Sequence, residues 1–383
     1  MKKLVLLISA VIICFGCDSS GEFGGDTALS SSEADGGGNS GNTQAGQITA
    51  GEWNDLKNWD FWTNLANSKD FTSQQNLWRF NTSKRIAIKV LNNNNSPINN
   101  ANVALYKGDE LISETRTDNF GETNVFIDLF NGNTNNIDVR KYAIMVNGIK
   151  MDESILMFDE GVNIYNLNQN TDVENKIEIA FMVDATGSMG DELEFLKNDL
   201  TDVISKVKAS NQSASILTAT VFYRDHGDQY VTRRSDFSTS VAETSKFIKS
   251  QSASGGGDYE EAVDEALKET ITDLQWSNNA KTRIAFLLLD APPHSTQEIY
   301  ESLKSSLSLA NEKGVKLIPI TASGIDKPTE FLMRYFAIAT NGTYVFITND
   351  SGIGNDHLEP TVGPYEVEFL NSLLVRLIDK YAK

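Results

Sequence analysis

Two periods of apolar residues divide this chain. Near its middle, Ile177–Val183 is a nearly continuous apolar run, the pattern of a strand buried on both faces in a parallel sheet. Met189, Leu193, Leu196, Leu200, Val203 and Val207 then recur at spacings of four and three, which predicts a long amphipathic helix. The alternation continues to the end of the chain. Strands are predicted at Ile216–Tyr223, Tyr230–Thr232, Arg283–Leu289, Val315–Thr321 and Thr343–Ile347. Helices are predicted at Val241–Ser250, Asp258–Leu274, Gln297–Glu312, Thr329–Ala339 and Tyr365–Tyr381. Strands alternating with helices indicate an α/β doubly wound sheet over residues 176–383. Residues 84–168 carry a period of two instead: Ile86, Ile88 and Val90, then Val103 and Leu105, then Val125, Ile127 and Leu129 after the turn at Asp118–Glu122. That pattern predicts an all-β sandwich. The polar stretch Asn168–Asn175 is the expected boundary, where a protease would release a C-terminal fragment beginning near Lys176.

The remaining segments lack such periodicity. Residues 51–83 are crowded with Trp53, Trp59, Trp62, Trp78 and Phe80, rings expected to dock the segment onto a neighbouring domain. Residues 17–50 are rich in Gly, Ser and Asn with few large apolar side chains, the composition of a flexible tether. Residues 1–16 read as an export signal: Lys2 and Lys3, then the apolar run Leu4–Ile13, too short to span a bilayer as a helix. Cys14-Phe15-Gly16-Cys17 follows and resembles a bacterial lipobox, with Cys14 where Leu is usual. The resemblance implies lipidation of Cys17 and a cell-envelope location, with the outer membrane favoured. Both cysteines lie in or beside the signal, so the exported part has no disulfide framework. A formal charge of −19, about −21 without Lys2 and Lys3, argues against nucleic acid or anionic lipid as the main partner.

Candidate chemistry sits where the central apolar run stops. Asp184-Ala185-Thr186-Gly187-Ser188 places a carboxylate and two hydroxyls on one turn at the carboxyl edge of a sheet, where open α/β folds bind ligands. Three hard oxygen donors suit Mg2+, with Mn2+ or Ca2+ as alternatives. The simpler alternative is that Asp184 and Thr186 cap the following helix. The run resembles the Asp-x-Ser-x-Ser metal-ion-dependent adhesion site of von Willebrand factor A domains, with Thr186 in place of the first Ser. In that family two further loops complete the site. The first matching place, Ser254–Val263, lacks the family's Thr, and Asp258 is its substitute; the second, Leu287–His294, supplies Asp290. Val183–Met189, Gly255–Leu267 and Leu287–His294 together resemble the subgroup of these domains found with alpha-kinases, which implies the binding module and not phosphoryl transfer.

Residues from Val90 to Gly121 resemble the carboxypeptidase-regulatory or bacterial Ig-like family, whose modules act as spacers or partner surfaces. The combination resembles Bacteroidetes-type lipoproteins. It implies a membrane-anchored, non-enzymatic protein that engages a protein ligand offering a carboxylate to the metal. The rival readings are a metal-assisted hydrolase using Asp184, Asp258 and His294, and a structural subunit of an envelope complex. No Ser-His-Asp arrangement is readable from the spacing of the three histidines, His226, His294 and His357.

Overall fold

The computed structural model describes residues 44–130 and 137–383. The signal, Cys17 and most of the segment read as a tether lie outside the described residues. In chain order the elements begin with β1 (Thr49–Trp53), α1 (Trp59–Ala66) and α2 (Lys69–Trp78). Seven strands follow: β2 (Arg85–Asn92), β3 (Asn102–Lys107), β4 (Glu110–Arg116), β5 (Glu122–Phe126), β6 (Tyr142–Val146), β7 (Ile149–Lys150) and β8 (Val162–Leu167). The α/β part comprises β9 (Glu174–Asp184), α3 (Leu193–Ser210), β10 (Ser215–Tyr223), β11 (Thr232–Ser238), α4 (Val241–Lys249), α5 (Val263–Lys268) and β12 (Ala280–Leu289). It ends with α6 (Gln297–Lys313), β13 (Lys316–Thr321), α7 (Lys327–Ala339), β14 (Tyr344–Ile347), β15 (Val367–Phe369) and α8 (Leu370–Ala382).

One eight-stranded sheet runs in the order β11-β10-β9-β12-β13-β14-β1-β15. Its five inner strands from β10 to β14 are parallel, and β11 and β1 run against them. Strand β9 lies at the centre, hydrogen-bonded on both sides, and so its residues Ile177–Val183 are fully buried. Alternate residues of β9 feed opposite cores. Ile177, Ile179, Phe181 and Val183 face the layer that holds α3 and α8, while Ala180 and Met182 face α5, α6 and α7. The spaced apolar positions of α3, from Leu193 through Val207, are its buried stripe.

The first strand corrects the sequence-based domain limits. Thr49 and Ala50, expected in the tether, belong to β1, which inserts between β14 and β15. Ile48 is fully buried, and the Gly46 N–H reaches Asp199 at 2.5 Å. The aromatic segment packs on α7: Trp62 meets Tyr335 edge-on at 5.2 Å, and Phe80 meets Tyr335 at 5.3 Å. The α/β unit is therefore not confined to residues 176–383. Its last three strands include one from the far side of the β-rich segment, because the edge of β14 would otherwise expose unpaired backbone groups.

Residues 85–167 form two small sheets, β5-β2-β8 and β4-β3-β6-β7, around one core of Ile86, Ile88, Val90, Val103, Leu105, Val125, Ile144 and Tyr165. The β2–β8 pair is parallel. This sandwich is bonded to the larger unit at several points. Asn124 N–H donates to Asn341 Oδ1 at 2.7 Å, Asn100 Nδ2 to the Asn278 carbonyl at 2.9 Å, and Asn119 Nδ2 to the Lys380 carbonyl at 3.0 Å. A cut within residues 168–173 is accordingly expected to leave both pieces together on native size-exclusion chromatography. They should separate only in denaturant, since β1 and the sandwich contacts hold the N-terminal piece in place. Elution of a free C-terminal fragment without denaturant would refute the shared sheet.

Among the described residues no helix is long and apolar enough to cross a membrane. Some expected elements start late. The predicted helix from Asp258 begins at Val263, because the Glu261 N–H is committed to the Pro292 carbonyl and Gly255 and Gly256 adopt positive φ. The predicted strand Tyr230–Thr232 is displaced to β11, and the last helix is preceded by β15.

Candidate metal centre

Three loops meet at the carboxyl edge of the central strands. β9 ends at Asp184, which is aligned with Tyr223 at the end of β10; on the other side Val183 is aligned with Leu288, so Asp290 emerges just beyond. The polypeptide between them is bound edge to edge. Ala185 N–H donates to the Tyr223 carbonyl (2.9 Å), Ser254 N–H to the Ala185 carbonyl (3.0 Å), and Gly187 N–H to the Gly255 carbonyl (3.0 Å). Arg224 adds bonds from Nε to the Ala185 carbonyl (3.1 Å) and from Nη2 to the Ser252 carbonyl (2.7 Å). The Glu261–Pro292 bond, 2.9 Å, joins the glycine loop to the third loop. With the backbone polar groups so engaged, the side chains at the mouth are held in fixed positions.

Within this frame Asp184 and Thr186 are fully buried, Asp290 is nearly so, and Ser188 is exposed. Thr186 donates twice to Asp184 Oδ1, from its N–H at 2.8 Å and its hydroxyl at 2.7 Å, and its hydroxyl lies 3.0 Å from that of Ser188. Helix capping is not their role here. Thr186 makes no side-chain cap bond, a short 3-10 turn at Gly187–Asp191 follows, and α3 starts only at Leu193.

Asp258 is placed elsewhere. It is exposed in the glycine loop, with its carboxylate grouped with Asp225 and His294. The carboxylate that the same loop contributes beside Thr186 is Glu261, which is 3 % exposed. A methyl group built on Gly256 would lie 2.8 Å from Glu261 Oε1 and 3.5 Å from the Thr186 Cβ, which shows how closely the two approach. Sequence reasoning passed over Glu261. Its signal was a carboxylate directly before the apolar positions Ala262, Val263, Ala266 and Leu267, where an exposed helix start would not be buried.

The electrostatics are those of anions crowded out of water. Burial raises the Asp184 carboxyl, against the Thr186 hydrogen bonds that lower it. Burial raises Asp290 as well, and the Asp184 charge adds to it. Glu261 is pushed up to about 9 by burial and by Asp184, Asp225, Asp290 and Asp228. Asp184 Oδ2, Asp290 Oδ1 and Glu261 Oε2 are buried with no partner at full hydrogen-bonding geometry, while Tyr223 and Ser188 lie near enough to lower Asp184 and Asp290 in turn. Unpartnered buried carboxylate oxygens are costly, and a hard cation is the group that would relieve both the charge and the missing bonds. The donor set of Asp184, Thr186, Ser188 and Asp290 therefore fits a divalent metal.

Comparison with known proteins bears on residues 178–346, which match the family model of the von Willebrand factor A domain. Over 118 residues the chain is 33 % identical to an ariadne-like RING finger protein of Acanthamoeba polyphaga mimivirus, covering 31 % of this chain and 11 % of that protein. Over 143 residues it is 31 % identical to alpha-protein kinase vwkA of Dictyostelium discoideum, covering 37 % of this chain and 22 % of the kinase. The chain thus spans less than a quarter of the length of either curated relative. Among solved structures, BatB, a conserved hypothetical protein from Bacteroides thetaiotaomicron, aligns at 14 % identity with a TM-score of 0.37, over 54 % of this chain and 98 % of that one. An aerotolerance-related membrane protein from Bacteroides fragilis aligns at 13 % identity with a TM-score of 0.34, over 53 % and 99 %. The parallel sheet with its site at the carboxyl edge lies within the residues matched, so residues 178–346 resemble the von Willebrand factor A domain in sequence and in the place of their candidate site.

Proposed function

We propose that this protein is a metal-dependent protein-binding module held at a membrane of the cell envelope. The observation that carries the reading is the pair of buried, unpartnered oxygens, Asp184 Oδ2 and Asp290 Oδ1, beside the hydroxyls of Thr186 and Ser188. Those four residues would hold Mg2+, directly or through water. A bound divalent cation would supply a positive centre with an open position for a carboxylate of the partner protein. Asp184 and Asp290 would fix its charge, Thr186 would lock the Asp184 carboxylate through its two hydrogen bonds, and exposed Ser188 would mark the face that meets the partner. The assignment is to binding rather than catalysis. The sandwich would act as an Ig-like spacer, and a lipid on Cys17 would provide the anchor.

Both halves of the proposal have direct tests. Surface cross-linking in the native host, followed by recovery of the wild-type chain, should yield a partner that is lost with chelator and with Asp184→Ala. A partner retained equally by that variant would overturn the metal-dependent reading. Cys17→Ala should move the protein out of the membrane fraction, and unchanged fractionation would remove the anchor.

A further inference from the structure

Beside the first group of oxygens, a second set of metal-ligating side chains converges. Asp225 follows the end of β10, Asp258 comes from the glycine loop and His294 from the loop after β12; one ligand atom from each lies within 4.8 Å of the other two. His294 Nε2 is 3.4 Å from Asp225 Oδ1. Two ligands of a tetrahedral zinc, each about 2.0–2.1 Å from the ion, are separated by about 3.3 Å, so this pair already spans one edge of such a site. We propose that Asp225, Asp258 and His294 form a second metal site, selective for a divalent transition metal of the Zn2+ class.

Selectivity follows from the donors. Imidazole suits zinc and other first-row transition metals, whereas the first group offers only the hard oxygens that suit Mg2+. Position follows from the backbone. Asp228 Oδ2 accepts the N–H of Asp225 at 3.2 Å and that of Gly256 at 2.9 Å, tying the strand end to the loop that carries Asp258. Gly255 sits at φ +86°, and a Cβ there would fall 2.2 Å from Asp228 Oδ2, so the loop takes this path only with glycine. The Glu261–Pro292 backbone bond fixes the third loop, two residues from His294. An independent feature points to a cation here. Glu261, three residues after Asp258 on the same loop, is 3 % exposed and its Oε2 is unpartnered. Three protein ligands leave room in the coordination sphere, as in zinc sites that bind an exchangeable ligand.

The test uses the full chain with Zn2+ and Co2+ as probes, in excess Mg2+ to occupy the hard-oxygen site. Calorimetry should find one Zn2+ equivalent in the wild-type protein, and Co2+ should give visible d–d bands with imidazole–carboxylate character. His294→Ala and Asp258→Ala should each weaken Zn2+ by more than about tenfold, since losing even an outer partner of a ligand has that effect. Asp184→Ala should keep the Zn2+ equivalent, which separates this proposal from that for the first site. Zn2+ affinity unchanged in both the His294 and Asp258 variants, loss of Zn2+ in Asp184→Ala, or no saturable Zn2+ binding in folded wild-type protein would each overturn the second site. Circular dichroism of the variants confirms that the fold is intact; Asp258 is exposed, so its replacement is the control if His294→Ala misfolds.

Discussion

Asp55→Ala is expected to destabilise the protein by about 3–5 kcal/mol, the usual cost of removing one partner of a buried ion pair. Arg334 and Asp55 have side chains 0 % and 1 % exposed. The guanidinium holds the carboxylate with two bonds, Nε to Oδ2 at 2.9 Å and Nη2 to Oδ1 at 2.6 Å, and Trp53 Nε1 donates to the same Oδ1 at 3.0 Å. Glu330 lies on the other side of Arg334 at 3.2 Å, and it also accepts the Thr361 N–H at 2.7 Å. Without Asp55 the arginine remains buried in α7 with one carboxylate and the Thr361 carbonyl, and it loses its bidentate partner. Denaturant melts of the two proteins would measure the difference. A loss below about 1 kcal/mol would mean that Arg334 escapes to water or that Glu330 suffices alone. The paired change Asp55→Leu with Arg334→Met should recover part of the loss, because the one carboxylate then left in the cluster, Glu330, keeps Lys327 at 3.1 Å and the Thr361 N–H at 2.7 Å. A large effect from a residue more than a hundred positions before the matched domain would confirm that the N-terminal segment is part of that domain's structure.

Magnesium is expected to stabilise the native protein by about 2.7 kcal/mol at a hundredfold excess over its dissociation constant, and Asp184→Ala should abolish the gain. Asp184 is the buried carboxylate with one oxygen committed to Thr186 and the other unpartnered, so its loss removes both charge and a ligand atom. Ser188→Ala should weaken the effect less, since a neutral hydroxyl contributes less charge. Equal stabilisation of wild type and Asp184→Ala would place the metal elsewhere. The metal-free protein should show the opposite pH trend to the loaded one. Asp184, Asp290 and Glu261 all have raised folded-state values, so the native state keeps protons that the unfolded chain releases above the ordinary carboxyl range. Metal-free stability from these groups is fullest below that range and is lost as pH rises toward about 9, the Glu261 value. A cation binds the deprotonated carboxylates, so the Mg2+-induced rise in melting temperature should grow between pH 6 and pH 9. A gain independent of pH would show that these carboxylates are not the ligands.

The parallel sheet and the place of Asp184, Thr186 and Ser188 at its carboxyl edge were written locally. The nearly continuous apolar run Ile177–Val183 has the pattern of a strand buried on both faces, and a strand of that kind ends at the carboxyl edge where Asp184, Thr186 and Ser188 then emerge. Asp290 was legible for the same reason, as the residue that ends the apolar run Phe286–Leu289. Short-range pattern suffices there because each residue's neighbours in sequence decide its environment.

What the tertiary structure decided was every feature that depends on which distant segments pair. Thr49–Trp53 straddles the expected tether and aromatic segment, yet it is a strand because it pairs with β14 and β15; glycine fits at position 51 because the rings of Phe346 and Tyr365 lie 2.6 and 2.8 Å from where a Cβ would stand. Asp258 and Glu261 are three residues apart in one acidic loop, and only the apolar residues that follow Glu261 hint at their different fates. Positive φ at Gly255 and Gly256 and the bond from Glu261 to Pro292 turn Glu261 inward beside Thr186 and leave Asp258 outside with Asp225 and His294. Asp55 and Arg334 are similarly ordinary charges in sequence, and only the packing of the N-terminal segment on α7 makes them a buried pair. Burial, and with it the chemistry of a carboxylate, is set by the partners that folding brings from elsewhere in the chain.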